Sequence, residues 1–495
     1  MEIAMRFSDV LKDVKVLRTN ITSFDFCISH ISSDSDRIAY GDVFVCRRGS
    51  KVDGHDFIKA AYEHGARSFV VEKLTTELLE NDIYRYIQVD DTSLAEVLMQ
   101  NAYFGYPSKN MRLVGITGTN GKTSVSYMLK HILDTLGHTT GLIGTVRSAV
   151  GNTDLITGCA HGTMTTPSPD TLYSTLSKMR ELGADTVIME TSSHALDQKR
   201  VDALSFELGI FTNLTEDHLD YHKTVTNYKK AKRRLFGLCR RSLINTDSDF
   251  GRELAGSLDG EVYTYGRSKD ALFIAENPHF ESDLTAYEAR INGKTVSVVC
   301  PVPGEFSLYN SLAALSAAVI LGADPYDAAT ALSSLGQIPG RLEKYALRCG
   351  ANLYIDYAHT PDALKNVLST LSQIPHGKLI TVFGCGGDRE RQKRPIMGHI
   401  ATCMSDLTII TGDNSRSERT PDIIRDIVSG VSCKGDYIVI EDRKEAILKA
   451  ISLAGENDII LLAGKGHENY EIIGNTKKYF SEKDIISNFI KPPLV

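Results

Sequence analysis

From Met111 to Ala463 short apolar runs alternate with helical segments in two successive series, and no other feature restricts the fold so tightly. In the first series residues 113–117, 142–146, 185–190 and 208–213 read as buried strands. Helices are expected over 122–136, stopped by Gly137, and over 170–182. Residues 271–302 are more strand-like, and a helix is expected over 310–321. Pro339-Gly340 then reads as a linker. The second series places strands at 353–357, 379–384, 407–411, 437–441 and 458–463, with helices at 362–374, 395–404, 421–429 and 444–453. Such alternation builds a mostly parallel sheet covered by helices on both faces. Residues 1–108 carry strand-like runs at 42–46 and 68–71 and a helix over 57–64, without a phosphate loop or metal cluster, as in a binding module. The expected class is α/β in three domains. Residues 1–108 form an N-terminal α/β domain, 109–339 a central P-loop-type domain with a mostly parallel sheet, and 340–495 a C-terminal Rossmann-like doubly wound domain.

Composition removes several function classes. Lys plus Arg number 55 against 62 Asp plus Glu, a net charge of −7, which speaks against a general nucleic-acid or lipid-surface binder. A local cationic pocket for a phosphorylated small molecule stays open. The longest apolar stretch, 312–321, is too short and too Ala-rich to span a bilayer, and Glu2 and Asp9 argue against a secretory signal. Nine cysteines, odd in number and without a C-x-x-C pair, read as reduced thiols of a cytoplasmic protein.

Thr117-Gly118-Thr119-Asn120-Gly121-Lys122-Thr123 falls between a strand and a helix. Its glycines let backbone N–H groups turn toward a polyphosphate, and the helix start adds its positive end. Lys122 is placed for the β- and γ-phosphates and Thr123 for Mg²⁺. Ile116 stands where the strict P-loop pattern has Gly. Glu190 closes a parallel strand, the place where open α/β sheets bind ligands, so it faces either the loop's metal or solvent. His218 is a further ligand candidate after the next strand, whereas His222 reads as structural. The basic run Tyr228-Lys229-Lys230-Ala231-Lys232-Arg233-Arg234 reads largely as a solvated helix face.

Three segments, Gly118-Thr119-Asn120-Gly121-Lys122-Thr123, Glu190-Thr191-Ser192-Ser193-His194 and Asn213 with Asp217-His218-Leu219-Asp220-Tyr221-His222, together resemble the Mur ligase family. Tyr357-Ala358-His359-Thr360-Pro361-Asp362, Phe383-Gly384-Cys385-Gly386-Gly387-Asp388-Arg389 and Ala463-Gly464-Lys465-Gly466-His467-Glu468 narrow the likeness to its diamino-acid-adding branch. The resemblance spans nearly the whole chain. It implies an ATP-dependent amide ligase acting on UDP-N-acetylmuramoyl-L-alanyl-D-glutamate through an acyl phosphate, which the amine of a diamino acid attacks. Such chemistry asks the protein for positioning and charge neutralisation.

The same resemblance assigns roles. Gly118, Thr119, Asn120, Gly121, Lys122, Thr123 and Ser124 hold the ATP phosphates, with Asn310, Arg341 and Asp356 on the adenine and ribose side. Thr123, Glu190, His218 and a carbamylated Lys232 surround Mg²⁺, and Lys122, Glu190, His218 and Lys232 form the catalytic set. Ser33, Ser35, Ser50, Lys51 and Val52 serve the uridine end; Thr165, Thr166, Ser192, Gln198 and Arg200 serve the muramoyl peptide. Asp36 stands where the family usually carries Arg.

Asp413-Asn414-Ser415-Arg416 falls on the family's specificity segment, which in members that add meso-diaminopimelate reads Asp-Asn-Pro-Arg. The resemblance implies that Arg416 grips the distal carboxylate of the diamino acid, a group lysine lacks. A buried guanidinium left unpaired disfavours lysine by about 10²- to 10⁴-fold. Arg389, Gly464 and Glu468 complete the set, Glu468 toward an ammonium, while Ser415 frees the turn that proline fixes. The expected added amino acid is meso-2,6-diaminopimelate, with L-lysine or L-ornithine as the alternative. The expected partners are small molecules, with no nucleic acid and no membrane, around a monomer. The rivals are a sister ligase of the superfamily, a phosphate-driven switch or motor, and a non-catalytic paralogue. Segments 383–389 and 413–416 speak against the first, and the intact Lys122, Glu190, His218 and Lys232 against the last.

Overall fold

Runs such as Ile459–Ala463 and Thr186–Glu190 are buried along their whole length, which only a central parallel strand with helices on both faces requires. The computed structural model describes residues 5–49, 52–155, 164–291, 293–431 and 435–492; Ser50 and Lys51 lie outside them. Three sheets organise the chain.

The N-terminal sheet has the order Arg18–Thr19, Arg85–Gln88, Ser68–Val71, Val43–Val45, Ile31–Ser32; the last four are parallel and the first is an antiparallel edge. Helix Thr92–Tyr103 closes one face, started by the Asp91 carboxylate, which accepts the Leu94 N–H at 2.9 Å.

The central sheet has eleven strands. Thr140–Ile143, Thr186–Glu190, Arg112–Thr117, Phe206–Phe211, Cys239–Asn245, Glu261–Gly266 and Phe273–Phe280 lie side by side in parallel. Antiparallel strands extend both margins, so the expectation over 271–302 resolves into the parallel Phe273–Phe280 and the hairpin partners Thr285–Ile291 and Lys294–Cys300. Helices Lys122–Thr135 and Glu305–Ile320 pack one face, and Pro169–Glu181 the other. The helix expected from residue 310 begins five residues earlier, because its first turn, Glu305-Phe306-Ser307, lacks an apolar stripe.

The C-terminal sheet runs Glu343–Ala346, Asn352–Asp356, Ile459–Ala463, Leu379–Phe383, Leu407–Ile410, Asp436–Val439, parallel except for the first strand. Helices Pro361–Gln373, Lys393–Met404 and Thr420–Val428 cover one face and Arg443–Leu453 the other. Truncating a centre-strand side chain such as Leu461 to Ala costs about 2–5 kcal/mol by cavity formation.

Cys27, Cys46, Cys239, Cys300, Cys349 and Cys385 are free thiols, but Cys403 is disulfide-bonded, which corrects the expectation of reduced thiols throughout. Among the described residues no helix is long and apolar enough to cross a membrane.

Candidate active site

The strand ends of two sheets converge on one cavity of about 620 Å³. From the central sheet come the loop after Arg112–Thr117, Glu190, Thr145 and Asn213; from the C-terminal sheet come Asp356, Gly386, Asp413 and Gly464.

The phosphate loop is held by its neighbours. Thr212 Oγ1 and Asn213 Nδ2 both donate to the Asn120 carbonyl (2.6 and 3.1 Å), and Asn120 N–H donates to Asn213 Oδ1 (2.9 Å). A Cβ at Gly118 would lie 1.9 Å from Thr212 Oγ1. Gly121 has φ +87°, and its Cβ would meet Asn310 Oδ1 at 2.4 Å. Both positions therefore need glycine. The Lys122 ammonium donates to the Gly118 and Thr119 carbonyls at 2.8 and 2.9 Å, and burial lowers its pKa. Thr123 Oγ1 donates to Glu190 Oε2 at 2.9 Å; the same carboxylate accepts from Thr145 N–H (3.0 Å) and Thr145 Oγ1 (2.9 Å). Ser124 and Asn310 line the same space.

Arg341 and Asp356 bring the C-terminal domain to this loop. Arg341 Nη2 donates to Thr123 Oγ1 at 3.0 Å and its guanidinium lies over the Tyr357 ring at 4.9 Å. Asp356 accepts Leu342 N–H and Ala358 N–H, both at 2.8 Å, which shapes the turn carrying Arg341. Burial raises its pKa. Asn120 Nδ2 adds a second bridge to Asp362 Oδ2 at 2.9 Å.

His218 has φ +56° and accompanies Asp217, whose Oδ2 lies 3.4 Å from its Nε2. Burial brings its imidazole down to about 3, so it is neutral near pH 7. Lys232 turns inward from helix Val225–Arg233 and is 1% exposed, whereas Lys230, Arg233 and Arg234 face solvent. Its Nζ lies 4.3 Å from the centre of the Tyr228 ring, with no carboxylate in ion-pair distance among the described residues. Burial, and next the Lys122 charge, hold its pKa far below the usual lysine value. His222 is buried with Nε2 3.0 Å from Ser193 Oγ, as a structural histidine should be. No group of three or more His, Cys, Asp or Glu side chains among the described residues forms a ready metal cage.

At the cavity's far end Arg389 and Arg416 present guanidiniums bound, among the described residues, only by carbonyls: Arg389 Nη1 to Asp388 O at 3.1 Å, Arg416 Nη1 to Gly387 O at 2.8 Å. Burial, and next the Arg389 charge, lower the Arg416 pKa. Arg416 has φ +51°, a conformation costing a side-chain-bearing residue roughly 1–2 kcal/mol. The hairpin Tyr470–Ile473/Thr476–Tyr479 holds it there: Arg416 N–H donates to Ile472 O (3.0 Å) and Gly474 N–H to Arg416 O (2.7 Å). The turn that a proline at 415 would fix is thus held by backbone hydrogen bonds from Arg416 to this hairpin. Opposite stand two carboxylates. Burial raises the Asp413 pKa, but Lys465, 3.3 Å away, and Arg443 outweigh it and hold the group ionised. Glu468 is raised by burial and accepts from Asn414 Nδ2 at 2.9 Å. Gly464 faces Asp413.

The expected muramoyl-side residues form one hydrogen-bonded chain beside Glu190. Thr145 Oγ1 lies 3.1 Å from Thr165 Oγ1, Thr166 Oγ1 donates to Glu190 O (2.8 Å), and Ser192 N–H donates to Thr166 Oγ1 (3.0 Å). Arg200 donates to Thr166 O at 2.7 Å and to Gln198 Oε1 at 2.7 Å. On the N-terminal side Ser35 opens a short turn, Ser33 precedes it, and Val52 is exposed; the cavity does not reach these three. Sequence reasoning missed Thr145, Asp362 and the loop-pinning role of Thr212, all placed just beyond strand ends or at a helix start.

Comparison with known proteins decides the family. Three family models match: "Mur ligase family, catalytic domain" over residues 27–103, "Mur ligase middle domain" over 116–318, and "Mur ligase, glutamate ligase domain" over 340–466. A Clostridium botulinum protein named UDP-N-acetylmuramoyl-L-alanyl-D-glutamate--2,6-diaminopimelate ligase is 39% identical over 468 residues, covering 94% of this chain and 95% of its own. This chain belongs to the Mur ligase family. Relatives of the same name in Bacillus cereus (39% identical, 94% of each chain) and Parabacteroides distasonis (41%, 92% and 93%) extend the likeness. A solved structure titled with that ligase name superposes on this Mur ligase at a TM-score of 0.67, with 27% identity and 98% of both chains covered. A Thermotoga maritima MurF ligase in complex with ADP, at 18% identity and a TM-score of 0.60 over 88% of this chain and 93% of its own, shares the fold.

Proposed function

We propose that this Mur ligase joins meso-2,6-diaminopimelate to UDP-N-acetylmuramoyl-L-alanyl-D-glutamate, with ATP converted to ADP and phosphate. The observation that carries the amino-acid assignment is the unpaired Arg389–Arg416 set facing the Asp413 and Glu468 carboxylates. A diamino diacid offers a carboxylate to the first and an ammonium to the second; lysine leaves the guanidiniums unpaired. The names of the relatives point the same way.

In this reading residues 1–108 take the uridine end, 109–339 the ATP and 340–495 the amino acid. Lys122 and the loop N–H groups place the γ-phosphate in line with the D-Glu carboxylate, and Arg341 leaves Thr123 for the polyphosphate as the domains close. Mg²⁺ prefers hard oxygen donors, which Thr123 and Glu190 offer and a free lysine does not. Burial that disfavours the ammonium of Lys232 favours carbamylation: the free amine adds to CO₂, loses a proton and becomes a carboxylate-like donor. With His218, these residues would hold Mg²⁺, which supplies neutralisation of the transferring phosphoryl group. We place the enzyme in the cytoplasm as a monomer.

The test is product analysis. A UDP-linked product heavier by one diaminopimelate residue, matched by equal ADP and orthophosphate, is the expected result. AMP and pyrophosphate would overturn the acyl-phosphate route.

A further inference from the structure

Behind the Asp413 end of the cavity lies a buried ion pair that belongs to none of the sequence motifs. Arg443 opens helix Arg443–Leu453, and Glu482 opens helix Glu482–Ile486, just after the hairpin Tyr470–Ile473/Thr476–Tyr479. Their side chains are 0% and 1% exposed. Arg443 Nε donates to Glu482 Oε1 at 2.8 Å. Burial opposes the charge of Arg443, but Glu482 and next Asp413 outweigh it and keep the guanidinium protonated. Neither residue lines the cavity.

The rest of the guanidinium is spent on backbone. Nη1 donates to Gly412 O at 3.3 Å and Nη2 to Ala463 O at 2.8 Å. Gly412 immediately precedes Asp413, and Ala463 immediately precedes Gly464 and the turn that carries Glu468. These two loops leave strands Leu407–Ile410 and Ile459–Ala463, which are not neighbours, because Leu379–Phe383 lies between them in the sheet. No ladder hydrogen bond therefore sets one loop against the other. Arg443 spans that gap. A Cβ on Gly464 would lie 3.0 Å from Asp413 Oδ2 and 4.0 Å from Arg443 Nη2, so the guanidinium stands where the loops meet. Nearer the cavity the same gap is closed by Lys465, whose Nζ lies 3.3 Å from Asp413 Oδ1 and donates to Asn414 Oδ1 at 3.2 Å.

We propose that Arg443 is a positioning residue for the amino-acid site: held by Glu482, it fixes the Asp413 loop against the Glu468 loop, and with them the spacing at which an incoming diamino acid is bound. This rests on the reading of that end of the cavity as the diamino-acid site. Replacing a buried ion pair by apolar side chains of like volume often leaves stability unchanged, so stability alone gives weak reason to keep one. Glu482 Oε2 is buried with no hydrogen-bond partner among the described residues, which a brace serving stability alone would not leave. What the pair supplies is direction. A planar guanidinium holds three acceptors at fixed angles, whereas an ammonium is a point charge without that fork. Ionic contacts at both ends of a diamino acid tolerate little change in spacing, and a misplacement of about 1 Å costs about 10²-fold.

The experiment is Arg443→Lys, which keeps a cation beside Glu482 and gives up the double grip on Gly412 and Ala463. The KM for meso-diaminopimelate is expected to rise about 10-fold, while the KM values for ATP and UDP-N-acetylmuramoyl-L-alanyl-D-glutamate stay at wild type. Arg443→Met with Glu482→Met removes both charges and strands neither. It is expected to raise the same KM about 10- to 100-fold, and it carries the test should Arg443→Lys fail to fold. A lower melting temperature with all three KM values unchanged, or with all three raised together, would make the pair a brace of the fold and overturn the proposal. A wild-type enzyme that binds no meso-diaminopimelate would instead remove the reading beneath it.

Discussion

A lysine with no carboxylate in ion-pair distance among the described residues, turned into the protein from a basic helix, has little reason to be there as a cation. Burial, and next the Lys122 charge, both work against protonation of Lys232. Lys232→Ala is expected to keep the fold, lose most activity and regain part of it with added short carboxylic acids, measured as phosphate release. No rescue with unchanged metal binding would count against the carbamate. His359 makes a pH prediction. Burial lowers its imidazole to about 4, below the unfolded value near 6.5. The unfolded chain then binds the extra proton, so the contribution of His359 is complete above pH 6.5 and is lost as pH falls toward 4. His359→Gln should flatten that decline by about 2 kcal/mol at pH 4, a figure tempered because the ring is half-buried. Denaturant melts at pH 7 and pH 4.5 measure it.

Elements present these residues, and one brace matters most. Arg394, 0% exposed, donates to Glu418 at 2.7 and 2.9 Å and to Asp426 at 2.8 Å; Glu418 in turn accepts Asp388 N–H at 2.7 Å. This network ties the loop of Arg389 to the loop of Arg416. Glu418→Ala is expected to lose about 1–2 kcal/mol of stability, because the buried Arg394 loses a charge-assisted partner but keeps Asp426, and to raise the KM for the amino acid more than that for ATP. Thermal melts and steady-state kinetics separate the two effects. The sequence made the alternation and the phosphate loop legible, because periodic burial and glycine at a βα turn are local signals. Strands Cys239–Asn245 and Glu261–Gly266 escaped it: their exposed first residues and charged ends blur the apolar run. The positive φ of Arg416 escaped it too, since a distant hairpin imposes it. Lys232 looked like one more surface lysine, and only the helix's packing turns it inward; the family resemblance, not its own spacing, marked it.

At the scale of the whole molecule, catalysis depends on two sheets presenting their strand ends to each other. Arg341–Thr123 and Asp362–Asn120 are the bridges that align them. Asp362→Ala removes one bridge and is expected to raise the KM for ATP about 3- to 10-fold, a loss of roughly 1 kcal/mol, with the KM for the UDP-linked substrate unchanged. An unchanged ATP KM would mean that the bridge plays no part in closure.

The most direct test of the account is ATP-dependent phosphate release with UDP-N-acetylmuramoyl-L-alanyl-D-glutamate, run in parallel with meso-diaminopimelate, L-lysine and L-ornithine. Release with meso-diaminopimelate alone is the predicted result, because of the three only that amino acid carries a second carboxylate for the proposed Arg389–Arg416 site. Equal or faster release with L-lysine would contradict it.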